Sequence, residues 1–228
     1  MKNIIVIIKK QIKDTIKNKT VLIQFILFPI LTIIMENAIK MDGMPEMFFT
    51  KLFSIMYIGM APLTAMAAII SEEKEKNTLR VLMMANVKPW QYLVGVGVYV
   101  LTICMLGAGI MATGLDRENV LAYMLIMGAG FILSILAGAC VGIYSKSQMV
   151  STSVVMPVMM ILSFAPMLSL FNDKIAKVSK VLYTQQMRLI LDNMKLSDIK
   201  TESAIIIMVN AVIVLALFFI IFRRKGLE

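Results

Sequence analysis

Long apolar runs separated by short charged stretches dominate this sequence. The six longest runs carry no Asp, Glu, Lys or Arg at their centres, and each has close to the ~20 residues that an α-helix needs to cross a bilayer. Of all residues, 59% are hydrophobic and only 16% are charged, whereas soluble domains usually have about 25% charged residues. The sequence therefore predicts an all-α, polytopic membrane protein with a single transmembrane domain over residues 1–228.

Proline occurs inside the first, second and fifth of these runs, at Pro29, Pro62, Pro157 and Pro166. Membrane helices tolerate proline because neighbouring groups can satisfy the backbone carbonyls that it frees. Two hypotheses stay open for the second and fifth runs. Their prolines are either tolerated kinks, or they allow these helices to bend and line a pathway. The predicted spans are residues 20–37, 48–70, 90–113, 120–144, 149–171 and 203–222.

Residues 2–18 are predicted to form an amphipathic helix before the first span. Five isoleucines share one arc of a helical wheel, and five lysines share the neighbouring arc. This pattern is typical of a helix that lies in the membrane interface with its basic residues toward anionic headgroups. The alternative hypothesis is a basic tail that only determines topology. The two sets are Ile4, Ile5, Ile8, Ile12 and Ile16, and Lys2, Lys9, Lys10, Lys13 and Lys17.

The distribution of positive charge predicts the orientation in the membrane. Six spans place both termini on one side, which carries 14 Lys and Arg residues, while the opposite side carries nine. Because short cytoplasmic loops are enriched in Lys and Arg, we expect both termini and residues 72–88 in the cytoplasm. Residues 172–202 are then an outer segment, for which the spacing of apolar residues predicts short interfacial helices. With the net charge of +9 placed beside apolar runs, anionic lipid is the expected partner and nucleic acid is not.

Missing residues and motifs exclude several classes of function. The chain contains no histidine, which removes imidazole metal sites. Glu72 and Glu73 form a Glu-Glu pair like that of intramembrane glutamate proteases. Those enzymes also need histidines on other helices, so the absence of histidine excludes this class. No G-x-x-x-x-G-K-[ST] motif occurs, so we expect no ATP site on this chain. Cys104 and Cys140 fall at different depths of their helices, so no disulfide is expected between them. We therefore predict no catalytic residue, no bound cofactor and no metal.

Small and polar residues inside the spans predict helix contacts. In the fourth span they recur every four residues and include a GxxxG step, a pattern that lets another helix approach closely. Asn210 is the one amide near the middle of the last span, and it is expected either to pair across helices or to contact a substrate. The ridge in the fourth span consists of Gly130, Ser134, Gly138 and Gly142.

The stretch 72–88 is the sizeable charged segment between two spans. Asn77 and Thr78 can begin a helix, and Pro89 can end one. Between them, Leu79, Leu82 and Met83 recur at helical spacing. The sequence predicts a short cytoplasmic helix held between the second and third spans, which could transmit a push into both.

This stretch resembles a segment in the permease subunits of ABC transporters of the second exporter type. In that family, acidic residues precede Gly-Thr-Leu-Glu, a Leu-Leu step, a proline and a later Gly-Lys, all between spans 2 and 3. The chain differs at Asn77, Arg80 and Val96, which stand where Gly, Glu and Lys are usual. The corresponding residues here are Glu73, Glu75, Asn77, Thr78, Leu79, Arg80, Leu82, Pro89 and Gly95.

The resemblance implies a permease subunit with no catalysis of its own. Two such chains, identical or different, would pair in a bacterial cytoplasmic membrane, each on a separate ATP-binding subunit that holds ATP and Mg²⁺. The helix near residues 78–86 would dock in a groove of the ATPase. By the same analogy, spans 2 and 5 line a central cleft and the outer segment forms a lid. The candidate cleft residues are Pro62, Met66, Met156, Met160 and Asn210.

Charge-free spans and 22 Met residues favour an amphiphilic or hydrophobic substrate, such as an antimicrobial peptide, a drug or a lipid, because Met suits varied apolar contacts. A compositional bias toward Met is the alternative interpretation. Two other functions stay open, namely an ATP-independent carrier or channel and a membrane scaffold subunit that transports nothing. Transport by the purified chain alone would indicate the carrier or channel.

Overall fold

The structure, a computed structural model, describes residues 2–17, 19–39, 45–194 and 199–226. All regular secondary structure in these ranges is helical, which confirms the predicted all-α class. A turn of 3-10 helix at Ala112–Gly114 follows α5. The α-helices are α1 Lys2–Lys17, α2 Lys19–Ala38, α3 Phe48–Glu75, α4 Thr78–Met84, α5 Pro89–Met111, α6 Arg117–Tyr144, α7 Gln148–Leu168, α8 Asp173–Ser179, α9 Tyr183–Asn193 and α10 Thr201–Lys225.

Five of these helices, namely α3, α5, α6, α7 and α10, are long and apolar enough to cross a membrane. The helix predicted as the first span contains a shorter apolar stretch, Leu22–Ala38. The chain therefore has the helices of a polytopic membrane protein. Residue 18 of the predicted N-terminal helix and residues 195–198 of the predicted outer segment lie outside the described residues.

Helix α3 is the centre of the bundle. It packs against α2, α5, α6, α7 and α9, and 83% of its membrane-length window is buried inside the chain. Helix α10 is at the other extreme, with 0% of its window buried. Because α3 is enclosed on most sides, a change at one of its ends bears directly on most of the bundle.

The small-residue ridge of α6 faces α3. A methyl group added at Gly142 would lie 3.2 Å from the Ala67 carbonyl oxygen, and one added at Gly138 would meet the Leu63 carbonyl oxygen. A methyl group at Gly130 would lie 2.8 Å from the Ile58 side chain. Glycine at these positions therefore allows the backbones of α3 and α6 to come into direct contact.

Hydroxyl groups on neighbouring helices donate hydrogen bonds to backbone carbonyls that lack a helical partner because of a proline. Proline has no N–H, so Pro62 cannot bond the carbonyl of Ile58 four residues earlier. Ser134 Oγ donates to that carbonyl at 2.6 Å and lies 2.7 Å from the Tyr183 hydroxyl. In α2, Pro29 likewise frees the Phe25 carbonyl, and the Tyr57 hydroxyl donates to it at 3.1 Å. These prolines therefore create contacts between helices.

The segment after α7 forms two short helices, α8 and α9, of which α9 packs against the bundle. Asn210 Nδ2 donates to the Val181 carbonyl, in the turn between α8 and α9, at 2.8 Å. Asn210 comes nine residues after the start of α10, which corresponds to about 13 Å along that helix. Tyr183 is buried and reaches Ser134 in α6. Polar bonds therefore connect the exposed α8–α9 turn to α10 and the buried start of α9 to α6.

Candidate functional site

The last turn of α3 and the following helix α4 form the candidate site, and its boundaries differ from those predicted. Residues 72–75 continue α3, so the separate helix is only Thr78–Met84. Asn77 and Asn86 have positive φ angles of 56° and 64°. Asparagine tolerates this left-handed conformation better than most residues. The left-handed backbone at these two positions interrupts the helix on each side of α4. Pro89 was predicted to end this helix, but it begins α5, where its missing N–H has no cost.

Glu73 connects α3 to the N-terminal helix. Its side chain accepts hydrogen bonds from Lys10 Nζ and Gln11 Nε2, both at 2.5 Å. The residue is only 6% exposed, so water screens this ion pair much less than it screens an exposed pair. Glu73 was predicted to face a partner protein, whereas it faces α1 of its own chain.

Tyr92 of α5 joins the same buried group. The Tyr92 hydroxyl and Glu73 Oε2 are buried with no hydrogen-bond partner among the described residues, and the two side chains interact electrostatically. Tyr92 is completely buried. Trp90 is 53% exposed, as an interfacial residue would be.

Helix α1 packs on α5 along one face. Ile7, Gln11 and Thr15, each four residues apart, are buried. A methyl group added at Gly95 of α5 would lie 2.9 Å from Ile7 Cγ2, so this glycine allows the close approach of α1. Asn3 Nδ2 also donates to Gln91 Oε1 at 3.1 Å.

A second face of α1 remains on the outside. Ile5, Ile12 and Ile16 are exposed, and so are Lys9 and Lys13. The predicted apolar arc is therefore split. Its outer members project from the chain, while a neighbouring face that includes two polar residues is buried against the bundle.

Two other charged residues tie the same turn of α3 to further elements, and a third, Lys76, pairs back to that turn. Lys74 Nζ donates to the Ile143 carbonyl in the last turn of α6 at 2.8 Å. The Glu75 carboxylate accepts a hydrogen bond from Gln148 N, at the start of α7, at 2.7 Å. A negative charge at this end of a helix interacts favourably with the helix dipole. Lys76 Nζ donates to Glu72 at 2.5 Å, and this hydrogen bond raises the pKa of the Lys76 ammonium group.

Helix α4 is attached on one face and exposed on the other. Thr78 Oγ1 donates to the Glu73 carbonyl at 3.2 Å, and Leu79 is 1% exposed. Leu82 and Met83 are half-buried against the core. Arg80, Val81 (64% exposed) and Met84 (79% exposed) form the outer face, defined here as the α4 surface.

The three differences from the family motif have distinct structural settings. Asn77 adopts a left-handed conformation, which is the reason a glycine suits that position. Arg80 lies on the α4 surface, where it reverses the usual charge. Val96 is completely buried in α5, so a lysine there would place a charge in the core.

The structure does not bring the candidate cleft residues together. Pro62 and Met66 belong to the enclosed part of α3 and are buried. Met156 and Met160 of α7 are 54% and 56% exposed, so they face outward from this chain. Asn210 bonds the Val181 and Ile206 carbonyls, each at 2.8 Å. Within the single chain, α3 is enclosed by its neighbours, so a central cleft lined by spans 2 and 5 stays a prediction for the paired assembly.

Sequence reasoning missed Lys10, Gln11 and Tyr92 as members of the site. A signal for the first two was present, because Ile7, Gln11 and Thr15 have the four-residue spacing of a helix face. That face was overlooked because two of its three members are polar. No pattern in the sequence pairs Glu73 with Tyr92 rather than with solvent.

No protein-family model matches the chain, and no curated protein matches it significantly. Among the described residues, no group of three His, Cys, Asp or Glu side chains could hold a metal ion. Within the same ranges, Cys104 and Cys140 are buried and free.

Proposed function

We propose that this protein is the permease subunit of an ATP-driven ABC exporter. A separate ATP-binding subunit, carrying ATP and Mg²⁺, would bind the α4 surface and supply the energy. The chain itself would perform no catalysis. It would move an amphiphilic or hydrophobic substrate, such as an antimicrobial peptide, a drug or a lipid, outward across a bacterial cytoplasmic membrane.

One observation carries this proposal, namely the attachment of α4 to the last turn of α3. A seven-residue helix whose outer face exposes Arg80, Val81 and Met84 is suited to contact another protein. Apolar and Arg side chains are the types enriched at interface centres. On its inner face, Thr78 and Leu79 bind the helix to the bundle. Force on the outer face would therefore be transmitted directly to α3.

The last turn of α3 would distribute that force. Glu73 holds α1, Lys74 holds the end of α6 and Glu75 holds the start of α7. Displacement of α4 would shift these helix ends together, as rigid elements move in a transition between two packed states. This is the behaviour that alternating access between inward-open and outward-open states requires.

The proposed arrangement in the membrane has six spans. Helix α2 would be the first, since its apolar stretch Leu22–Ala38 is near the minimum length. Helix α1 would lie in the cytoplasmic interface, with its exposed isoleucines in lipid and its lysines toward headgroups. Both termini would be cytoplasmic. A second permease chain would complete the substrate pathway, because α3 is enclosed within this one.

The test is the double substitution Val81→Glu and Met84→Glu on the α4 surface. The full chain is co-expressed with an ABC ATP-binding subunit from the same genome, and the complex is reconstituted for ATP-turnover measurements. We expect the ATP turnover stimulated by the double variant to be more than about tenfold lower than that stimulated by the wild type, because replacing central interface side chains weakens binding by such amounts.

A matched control places a new carboxylate at the opposite end of the bundle. Thr113→Glu alters an exposed residue after α5, and its turnover is expected to equal that of the wild type. If the α4 variant binds and stimulates the ATPase as well as this control does, α4 is not the contact and the coupling role is wrong.

A further inference from the structure

A groove of about 380 Å³ lies between α6, α9 and α10. Its floor includes Ile126 and Ile190, which are buried, while Leu125 and Met208 on its rim are 53% and 67% exposed. The groove therefore opens sideways, out of the bundle. All the side chains that line it are apolar, and they are Leu125, Ile126, Ala129, Met187, Ile190, Ile199, Ala204, Ile207 and Met208.

The position of the groove along its helices places it within the membrane. The α6 members come eight to twelve residues after that helix begins at Arg117, which is about 12–18 Å along it. The α10 members lie within about 11 Å of that helix's start. Both starts are at the end of the bundle opposite α4. The groove thus lies in the half of the membrane farther from α4.

A second cavity of about 180 Å³, lined by both apolar and polar residues, adjoins the groove and shares Ile190 and Ile199 with it. Three of its other lining residues are Asp192, Lys200 and Ser203. The Asp192 carboxylate accepts from Arg188 Nη1 at 3.0 Å, so its charge is balanced. Lys200 forms no ion pair within the described ranges of the chain. The two spaces together offer an apolar slot with a positive charge at its polar end.

We propose that the groove holds one acyl chain of an anionic membrane phospholipid whose phosphate lies at Lys200. An acyl chain matches a wall without polar groups, and burial of each methylene is favourable. Basic positions between membrane helices attract anionic headgroups. The bilayer itself supplies this occupant, because the groove opens toward it. The proposal requires membrane insertion alone and is independent of any ATPase.

The experiment measures lipid retained by the purified full-length chain. Protein in detergent is incubated with phosphatidylglycerol or phosphatidylcholine, and bound lipid is counted by native mass spectrometry. We expect one phosphatidylglycerol per chain, bound about fivefold more tightly than phosphatidylcholine, which is the preference that one Lys near the headgroup provides.

Two variants locate the site. Ala129→Phe places a ring in the groove from an exposed position, and it should abolish retention of both lipids. Its control, Leu121→Phe, changes an exposed α6 residue outside the groove and should bind like the wild type. Lys200→Ala should remove only the preference for phosphatidylglycerol, while Lys174→Ala, an exposed lysine in α8, should keep it.

Three outcomes would overturn the proposal. The first is full retention of phosphatidylglycerol by Ala129→Phe. The second is an unchanged lipid preference in Lys200→Ala. The third is a wild-type dimer that Ala129→Phe converts to a monomer, because the groove would then be covered by a second copy of the chain. None of these measurements involves ATP turnover, so they are separate from the test of the transport function.

Discussion

Glu73 shows how much a single residue can connect at the end of the bundle that carries α4. It is nearly fully buried, and it binds Lys10 and Gln11 of α1 through its side chain. Its backbone carbonyl accepts from Thr78 at the start of α4. One residue therefore joins the N-terminal helix, the central helix and the exposed helix. A buried acidic group with such partners contributes to stability mainly because its loss leaves them unpaired.

The substitution Glu73→Gln tests this connection. It keeps the shape of the side chain but removes the charge that pairs with Lys10, and it leaves a buried amide with mismatched partners. We expect a loss of about 1–3 kcal/mol in the free energy of unfolding, measured as a lower thermal midpoint in detergent. Lys13→Gln, which removes an exposed charge from α1, serves as the control. A Glu73→Gln midpoint equal to that of the control would contradict the assigned role.

Gly95 provides a second test at the residue scale. Gly95→Val would introduce carbon atoms into the space occupied by Ile7, and α1 would have to move away from α5. Overpacking of this kind costs about 1–3 kcal/mol. Gly109→Val in the same helix is the control, because an added Cβ there meets nothing within 4 Å. Both variants are compared by thermal unfolding, and equal midpoints would show that α1 does not pack as described.

At the scale of elements, α3 derives its central position from the small residues of α6 and from the carbonyl that its own Pro62 frees. The α6 ridge allows direct backbone contact, and Ser134 satisfies the carbonyl freed by Pro62. These contacts replace the hydrophobic driving force, which is absent between helices in lipid. The ridge spacing is visible in the sequence, whereas its partner helix is not.

Gly138→Ala tests the contact between α6 and α3. The added methyl group would meet the Leu63 carbonyl oxygen, which belongs to the backbone and cannot rotate away. We expect the variant to lose about 1–3 kcal/mol in the free energy of unfolding, measured as a lower unfolding temperature than that of the wild type in detergent. Gly128→Ala, where the nearest atom lies at 3.6 Å, should be neutral. Neutral behaviour at both sites would mean that α3 and α6 are not in backbone contact.

The sequence could predict those elements that depend on hydropathy over a whole turn of helix or more. The long apolar helices and the four-residue ridge of α6 have such local signals. The extent of α4, the burial of Tyr92 and the contact of Asn210 with the α8–α9 turn have none. They depend on which buried polar group meets which partner, as with Asn210 and Val181. The enclosure of α3 likewise could not be predicted, because it is a property of its neighbours.

For the whole molecule, the alternation of long helices predicts opposite sides for Thr113 and Lys146, which are both exposed. Single-cysteine variants at these positions can be labelled in intact cells with a thiol reagent that does not cross membranes. We expect Thr113→Cys to react, and Lys146→Cys to react only after the cells are permeabilised. The natural cysteines are buried and should stay unlabelled. Equal labelling of both variants in intact cells would refute the proposed orientation.

The central claim is that this chain moves its substrate with energy received at α4 from an ATP-binding subunit. The most direct measurement is uptake of a fluorescent amphiphile into inside-out proteoliposomes that contain the chain with or without that subunit. We predict ATP-dependent accumulation with both proteins and none with either protein alone. Accumulation by the chain alone, or equal accumulation with the Val81→Glu, Met84→Glu variant, would contradict the account.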